Sequence, residues 1–269
     1  MDRDSCGPMD EDEQRLVLVV EDHPVNQVLA VAQLEQLGYR TVVTASGWRA
    51  LEEIERQQFD VVLMDWQLSD IDGLETTRQI RERENTRGTH RLPIVAITAN
   101  TMPGDRQRCI DAGMDDFLSK PISLEDLRGA LERALPSESP SQGIAGPPPA
   151  QDFEKKSGAI SRLIDDLGDV SVVATILSTY LHELPMRTND VMDALTSGDM
   201  DRARSIAHMI KSTSEALGQT DLATISRQIE MLTAVDSTSI AELEGEVRRA
   251  TAKAHLRLSA IRDDLAGRH

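Results

Sequence analysis

Aromatic residues are scarce in this chain of 269 residues, since Phe, Trp and Tyr together make up 3% of it. Its hydrophobic cores must therefore be built from Leu, Ile, Val, Ala and Met. The two cysteines are too few for a disulfide framework, which is typical of a reducing compartment. No stretch approaches the roughly 18 apolar residues of a membrane-spanning helix, and the acidic N-terminus lacks the apolar segment of a signal peptide. We therefore expect a cytoplasmic protein without membrane insertion.

Basic residues are also few, 29 against 46 acidic ones, which gives a net charge of −17. Such a charge repels nucleic-acid backbones, so we expect no nucleic-acid partner. The length predicts about two domains, and residues 136–150, PSESPSQGIAGPPPA, have the composition of an extended tether. We predict four segments: an acidic disordered tail (1–13), a first domain (14–135), a Pro/Ser/Gly-rich linker (136–151) and a second domain (152–269).

The first domain alternates short apolar runs with amphipathic stretches. We predict five strands, at Leu16–Val20, Thr41–Ala45, Val61–Met64, Ile94–Ile97 and Phe117–Ser119. We predict helices after them, at Val25–Leu37, Ala50–Gln57, Leu74–Arg83, Gly104–Ala112 and Leu124–Leu135. This alternation is typical of an α/β fold with a parallel sheet covered on both faces.

The second domain contains no convincing strand. Apolar residues recur at three- and four-residue steps in 159–167, 172–184, 188–195, 203–217, 222–232 and 240–265. Gly168, Pro185, Gly198 and Gly218 separate these stretches, so we predict a helix end at each. The pattern favours an all-α antiparallel helical bundle.

Five polar side chains follow or end the predicted strands of the first domain: Glu21, Asp22, Asp65, Thr98 and Lys120. Because the carboxyl ends of parallel strands meet at one edge of a sheet, we expect these residues to converge. Clustered carboxylates favour Mg²⁺, and a lysine and a hydroxyl suit the oxygens of a phosphoryl group. One carboxylate could then form an aspartyl phosphate. Taken singly, such residues also end strands or cap helices, as Asp22 would.

The segments VLVVEDHPVNQ, VVLMDWQLSDIDGLE, IVAITAN and GMDDFLSKPIS resemble the receiver domain of two-component response regulators and hybrid kinases. The resemblance covers about residues 14–135 and implies a flavodoxin-like doubly wound sheet of five strands. It also implies individual roles: Asp65 as phospho-acceptor and metal ligand, Asp22 as direct Mg²⁺ ligand, Glu21 as ligand through water, the Gln67 carbonyl as the last protein ligand, Thr98 and Lys120 on the phosphoryl oxygens, Phe117 as the aromatic switch, and Pro121 after a cis bond.

Ser69 departs from this resemblance, because the family usually has proline four residues after the acceptor. We expect a less rigid loop after Asp65, which affects the lifetime of the phosphoryl group but not the chemistry. A phosphatase of the haloacid dehalogenase type also uses an aspartate nucleophile at the end of a strand. Its second aspartate is replaced here by Gln67, which disfavours that alternative.

The second domain carries a histidine on a polar helical face. That face comprises His208, Lys211, Ser212 and Glu215, and the apolar face comprises Ile206, Ile210, Thr213 and Leu217. An exposed neutral imidazole is a nucleophile, and a lysine one turn away supplies a cation for an incoming phosphoryl group. Read alone, such a histidine is more often only solvated.

The segment AHMIKSTSEALGQTDLATISRQIE resembles the core of a histidine-containing phosphotransfer (HPt) domain. The matches are the histidine, the lysine three residues on, the glycine ten residues on and an apolar–acidic pair that ends the following helix. The resemblance covers about residues 157–266. It implies that His208 is the phospho-acceptor, that Lys211 assists it and that Gly218 ends the helix.

An aspartate acceptor and a histidine acceptor in one chain indicate a phosphorelay. Its expected partners are a sensor histidine kinase and a downstream response regulator. The sequence contains no ATP-binding kinase motif, so we expect a phosphotransfer protein and not an ATP-dependent enzyme. It resembles the C-terminal end of a hybrid sensor kinase, either as a fragment or as a free-standing adaptor. The alternatives are a binding module switched by phosphorylation and a phosphate sink without onward transfer.

Overall fold

A computed structural model of the protein describes residues 14–98, 105–135, 158–232 and 237–267. The predicted tail (1–13) and linker (136–151) lie outside these residues. The elements of the first domain are β1 (Leu16–Val20), α1 (Pro24–Gln36), β2 (Arg40–Thr44), α2 (Gly47–Arg56), β3 (Val61–Asp65), α3 (Gly73–Arg87), β4 (Ile94–Thr98), α4 (Asp105–Ala112), β5 (Asp116–Ser119) and α5 (Leu124–Ala134). The second domain contains α6 (Ala159–Leu167), α7 (Val170–Ser197), α8 (Met200–Ala216), α9 (Thr220–Met231) and α10 (Ser237–Ala266).

The five strands of the first domain form one parallel sheet in the order β2-β1-β3-β4-β5. Its residues alternate between two cores because successive side chains of a strand point to opposite faces. Leu18 and Val62 belong to one buried cluster, whereas Val17 and Leu63 belong to the other. Both faces are therefore covered, which confirms the predicted doubly wound fold.

The second domain is helical throughout its described residues, as predicted. The helix α8 packs against α7 and α9, and α10 packs against the same two helices. Leu177 of α7 is fully buried, and the hydroxyl of Tyr180 lies 2.9 Å from that of Ser214 on α8. Burial raises the pKa of Tyr180 to about 12, so this hydroxyl stays protonated and the bond between α7 and α8 is neutral.

The prediction that Pro185 ends a helix was wrong, because α7 runs through it without interruption. Proline removes one helical hydrogen bond and normally costs about 3 kcal/mol inside a helix. Here, Leu184 and Val191 are buried on either side of Pro185, at 2% and 0% exposure. Burial of these side chains favours the continuous helix, since each contributes roughly 1.5–3 kcal/mol.

The apolar face predicted for α8 is buried, with Ile210 3% and Leu217 1% exposed. The helix ends before Gly218, whose φ of +66° lies in the left-handed region that favours glycine. A Cβ at Gly218 would also lie 2.8 Å from the Cβ of Ala159 at the start of α6. Gly218 thus both ends α8 and lets α6 approach it.

Gly73 lies against the end of β3, and its replacement by alanine is expected to destabilise the first domain strongly. A Cβ at this position would collide with the backbone carbonyl oxygen of Asp65, which cannot move without disturbing the sheet. We expect a loss of roughly 3 kcal/mol or more in the free energy of unfolding, as for severe overpacking. Denaturant unfolding followed by tryptophan fluorescence measures it, since Trp48 and Trp66 both belong to this domain.

Gly129→Ala is the matched control for Gly73→Ala. Gly129 lies within α5, and a Cβ there meets only the end of the flexible Arg133 side chain at 3.2 Å. Alanine is favoured over glycine inside a helix, so this variant should be as stable as the parent or slightly more stable. Equal stability of the two variants would contradict the close approach of Gly73 to Asp65.

Candidate functional site

The carboxyl ends of the strands bring the predicted acidic residues of the first domain together. Glu21 and Asp22 follow β1, and Asp65 ends the neighbouring strand β3. One carboxylate oxygen from each of the three lies within 4.8 Å of the others. The sequence arranges this convergence because β1 and β3 are adjacent and parallel, with Val20 opposite Met64.

Lys120 joins this acidic cluster from the end of β5. Its Nζ donates to Glu21 Oε2 at 2.6 Å and to Asp65 Oδ2 at 2.7 Å. All three side chains are at most 7% exposed. One buried ammonium group is therefore shared between two buried carboxylates, with Asp22 as a third acid beside them.

The charges in this cluster shift the pKa values of its members. Burial, and next the charge of Glu21, raise the pKa of Asp65 well above its usual value, although Lys120 opposes the shift. Burial alone would lower the pKa of Lys120, but the charges and hydrogen bonds of Asp65 and Glu21 outweigh it and raise this pKa. The lysine is therefore cationic at neutral pH, and the acids retain an excess of negative charge that a further cation would neutralise.

The other predicted residues of this site lie in the same region of the fold. Thr98 ends β4 and is 5% exposed, and its carbonyl accepts from the backbone N–H of Lys120 at 2.8 Å. The N–H of Gln67 donates to Asp65 Oδ1 at 3.2 Å. The Lys120–Pro121 peptide bond is cis, as the resemblance implied.

Phe117 lies on β5 and packs against the core that the sheet shares with α2, α3 and α4. The guanidinium carbon of Arg106 on α4 lies 5.6 Å from the centre of its ring. Trp66, directly after Asp65, has a similar neighbour, since the guanidinium carbon of Arg108 lies 4.7 Å from its ring. An arginine of α4 thus lies over each of these two rings, in the geometry of a cation–π contact.

The second site lies on α8, where His208 and Lys211 bind the same carboxylate. His208 Nδ1 lies 2.6 Å from Glu230 Oε1, and Lys211 Nζ donates to Glu230 Oε2 at 2.6 Å. Glu230 belongs to α9, which packs beside α8. Among the described residues, none forms a hydrogen bond with His208 Nε2. Glu230 therefore occupies Nδ1 and leaves Nε2 as the nitrogen for chemistry.

Sequence reasoning gave Glu230 no role, although it is the acidic member of the apolar–acidic pair that ends the following helix. Its distance of 22 residues from His208 hides the contact, which depends on the packing of α9 against α8. The expectation of an exposed imidazole on a solvated polar face was wrong, because His208 is 9% and Ser212 3% exposed. The side chain of Lys211 is 6% exposed, and its ammonium lies against the Glu230 carboxylate.

Glu230→Gln is expected to destabilise the second domain in a pH-dependent way. Burial alone would raise the pKa of Glu230, but hydrogen bonds from His208 and Lys211 outweigh it and lower this pKa below 4.5. A lowered carboxyl pKa stabilises the folded state above the unfolded pKa, and this contribution is lost as the pH falls through the folded value. We expect a loss of about 1–2 kcal/mol at pH 7 that shrinks towards zero as the pH falls below the folded pKa of Glu230.

Denaturant unfolding at several pH values measures this difference. Circular dichroism reports both domains, whereas tryptophan fluorescence reports only the first, so the two signals separate their transitions. Glu244→Gln on α10 is a control, because Glu244 pairs with the exposed Arg248 on its own helix and with no other residue in the described part of the chain. A difference between the parent and Glu230→Gln that does not shrink on acidification would contradict the ionised bridge.

Comparisons with known proteins agree with the two domains. A family model described as the response regulator receiver domain matches residues 17–132, and one described as the Hpt domain matches residues 175–265. Neither of these is a kinase domain. Of the helices in the described ranges, none has the length and apolarity needed to cross a membrane.

Several relatives are similar to parts of this chain. Hybrid signal transduction histidine kinase K of Dictyostelium discoideum is 43% identical over 44% of the chain and 10% of its own length. Sensor histidine kinase GacS of Pseudomonas protegens is 29% identical over 88% of the chain and 27% of its own length. The chain thus spans about a quarter or less of these relatives. A solved structure is also similar: the receiver domain of sensor histidine kinase PA1611 from Pseudomonas aeruginosa, with magnesium in its active-site cleft. Its sequence is 45% identical to this chain, and the match covers 45% of the chain and 97% of that domain with a TM-score of 0.41.

Proposed function

Because the chain joins a response regulator receiver domain to an Hpt domain, we propose that it transfers phosphoryl groups between histidine and aspartate residues of a phosphorelay. Receiver and Hpt domains in one chain are the components of such a relay. In our proposal, Asp65 accepts a phosphoryl group from the phosphohistidine of a sensor kinase. His208 exchanges one with a response-regulator aspartate, either Asp65 or that of a separate protein. The observation that carries the proposal is that each candidate acceptor is associated with a lysine: Asp65 binds Lys120, and His208 shares the Glu230 carboxylate with Lys211.

The geometry of the first site supports the Asp65 step. A carboxylate oxygen of Asp65 attacks the phosphorus of a phosphohistidine, the new P–O bond forms as the P–N bond breaks, and the electron pair leaves on the imidazole nitrogen. Lys120 lies 2.7 Å from Asp65 and remains cationic, so it neutralises charge next to the attacking oxygen. We propose that Thr98, which ends the adjacent strand, donates its hydroxyl to the phosphoryl oxygens.

Mg²⁺ is the cofactor that the donor set of this site favours. Glu21, Asp22 and Asp65 offer only carboxylate oxygens, and the carbonyl of Gln67 would add another oxygen ligand. Bound there, the ion would supply positive charge to the oxygens of the transferred group. We propose that Asp22 and Asp65 bind it directly and Glu21 through water, since Glu21 is already engaged by Lys120.

The geometry of the second site supports the His208 step. Nε2 attacks the phosphorus of an aspartyl phosphate, the P–N bond forms as the P–O bond breaks, and the aspartate leaves as a carboxylate. Glu230 accepts a hydrogen bond from the Nδ1–H and stabilises the positive charge that the ring acquires as Nε2 bonds to phosphorus. Lys211, bound to the other oxygen of Glu230, adds a cation near the incoming group.

We further propose that the chain obtains its phosphoryl groups from a partner kinase and not from ATP, since both matched domains are phosphotransfer modules. We place this exchange in the cytoplasm, where the thiol of Cys109, the cysteine among the described residues, would stay reduced.

The test is to supply the unchanged chain with Mg²⁺ and phosphoramidate, whose P–N bond resembles that of a phosphohistidine. We expect two labels, one stable in acid and labile in base at an aspartate, and one stable in base and labile in acid at a histidine. A phosphorylated response regulator then serves as a second donor for the histidine. An aspartyl label alone under both conditions would contradict the relay and indicate a binding module. Loss of both labels to water before any transfer would indicate a phosphate sink.

A further inference from the structure

The segment that connects β3 to α3, residues 66–72, is bound at its base to β4 and to the Asp65 side chain. We call it the acceptor loop. The N–H of Trp66 donates to the carbonyl of Ile97 on β4 at 3.0 Å, and the N–H of Gly73 donates to the carbonyl of Trp66 at 2.8 Å. Within the loop, the N–H of Gln67 donates to the Asp65 carboxylate. The position of this loop is therefore tied to the site, and it carries the Gln67 carbonyl.

Asp70 binds the outer end of the acceptor loop to the start of α2. Its Oδ2 accepts from the Ser46 hydroxyl at 2.5 Å and from the N–H of Trp48 at 3.1 Å, and its Oδ1 accepts from the N–H of Gly47 at 3.0 Å. Burial alone would raise the pKa of Asp70, but these bonds outweigh it and lower this pKa. The group is thus a carboxylate, which the N-terminus of a helix favours.

We propose that Asp70 is a positioning residue for the cation site: through its three bonds to α2, it holds the acceptor loop so that the Gln67 carbonyl can act as a ligand. The inference rests on the proposed function, in which Gln67 supplies that ligand. Asp70 itself touches none of the reacting groups. Its restraint acts at the residue after Ser69, the place where the loop lacks the proline that the resemblance would put there.

A merely structural role for Asp70 makes a different prediction. The helix α2 has its own cap, because the Ser46 hydroxyl also accepts from the N–H of Arg49 at 3.2 Å. If Asp70 only reinforced that cap, its loss would lower the free energy of unfolding and leave the affinity of the folded protein for Mg²⁺ unchanged. A positioning role requires weaker Mg²⁺ binding in protein that is still folded.

The experiment measures Mg²⁺ affinity in the full chain with Trp48 replaced by phenylalanine, which leaves Trp66 as the one tryptophan. Trp66 fluorescence is followed during titration with MgCl₂, and the Mg²⁺-dependent rise of the unfolding temperature gives a second readout of affinity. Asp70→Ala removes all three bonds, whereas Asp70→Asn keeps one acceptor oxygen. Asp60→Asn is the control, because Asp60 accepts from the N–H of Leu16 at the opposite end of the sheet.

We expect Asp70→Ala to weaken Mg²⁺ binding by about tenfold, as for other residues that orient a ligand. Asp70→Asn should weaken it less, and Asp60→Asn should leave it unchanged. Equal affinity in the parent and both Asp70 variants would overturn the inference and leave the proposed function standing. A parent that binds no Mg²⁺ would overturn the proposed cation site and this inference with it. If Asp70→Ala does not fold, the Mg²⁺ affinity of Asp70→Asn relative to the parent tests the inference instead.

Discussion

Asp65→Asn is expected to abolish the acid-stable, base-labile label that phosphoramidate and Mg²⁺ give the unchanged chain. An amide oxygen is a poor nucleophile and cannot form an acyl phosphate that persists. Asparagine otherwise keeps the size of the side chain and one oxygen facing Lys120. We therefore expect a folded protein with incorporation reduced to background. If Asp65 also supplies His208 within the chain, the acid-labile label from phosphoramidate falls with it.

The control for this variant is Asp60→Asn, which removes an exposed carboxylate elsewhere on the same domain. Its labelling should equal that of the parent. Undiminished base-labile label in Asp65→Asn would show that another carboxylate is the acceptor. Glu21 and Asp22, the two nearest acids, would then be the residues to change next.

The same variant should be more stable than the parent in the absence of Mg²⁺. Burial and the charge of Glu21 raise the pKa of Asp65, so its ionised form destabilises the fold. For a carboxyl group with a raised pKa, that penalty is fully present above the folded pKa and is relieved as the pH falls through the folded value towards the unfolded one. Thermal unfolding at pH 7 should therefore give a higher midpoint for Asp65→Asn. Added Mg²⁺ should raise the midpoint of the parent more than that of the variant.

His208→Gln is expected to abolish the base-stable, acid-labile label while leaving the label at Asp65 intact. Glutamine offers no ring nitrogen for a P–N bond, yet its amide can still donate to Glu230. Lys211 keeps its own bond to Glu230, so the charge of that carboxylate remains compensated. Onward transfer to a response regulator from this domain should fall to background.

His182→Gln is the matched control, since His182 is an exposed histidine of the same domain on α7. Its label should equal that of the parent. Transfer that persists in His208→Gln, with a label still labile in acid, would contradict the assignment of the acceptor. Transfer that is lost in both variants would point to damage to the bundle, which circular dichroism detects.

The sequence predicts elements best where local and tertiary forces agree. The predicted bounds of β1 match the structure, because the apolar run Leu16–Val20 is flanked by Arg15 and Glu21, and the last four residues of this run are fully buried. Pro185 shows the opposite case. The helix continues through Pro185 because the burial of Leu184 and Val191 outweighs the local preference of proline for a helix end. These two residues belong to apolar stretches that sequence analysis predicts to be separate helices.

The two sites differ in how far sequence reasoning could reach. The acids and Lys120 of the first site converge because each ends or directly follows a strand, and strand ends are visible as the ends of apolar runs. The roles of Glu230 and Asp70 depend instead on which helices pack together. No local pattern shows that α9 lies beside α8, or that the acceptor loop reaches α2.

Because Lys120 is buried, dissolved salt should act differently on its ion pairs and on the approach of a partner protein. Its bonds to Glu21 and Asp65 are between side chains at most 7% exposed, so mobile ions screen them much less than a surface pair such as Arg56 and Glu52. A partner that approaches a chain with a charge of −17 does so through solvent, where screening acts fully. The part of the phosphoryl-transfer rate that changes with ionic strength therefore reports the encounter with the partner. The part of the rate that does not change with salt reports the chemistry at the acceptor.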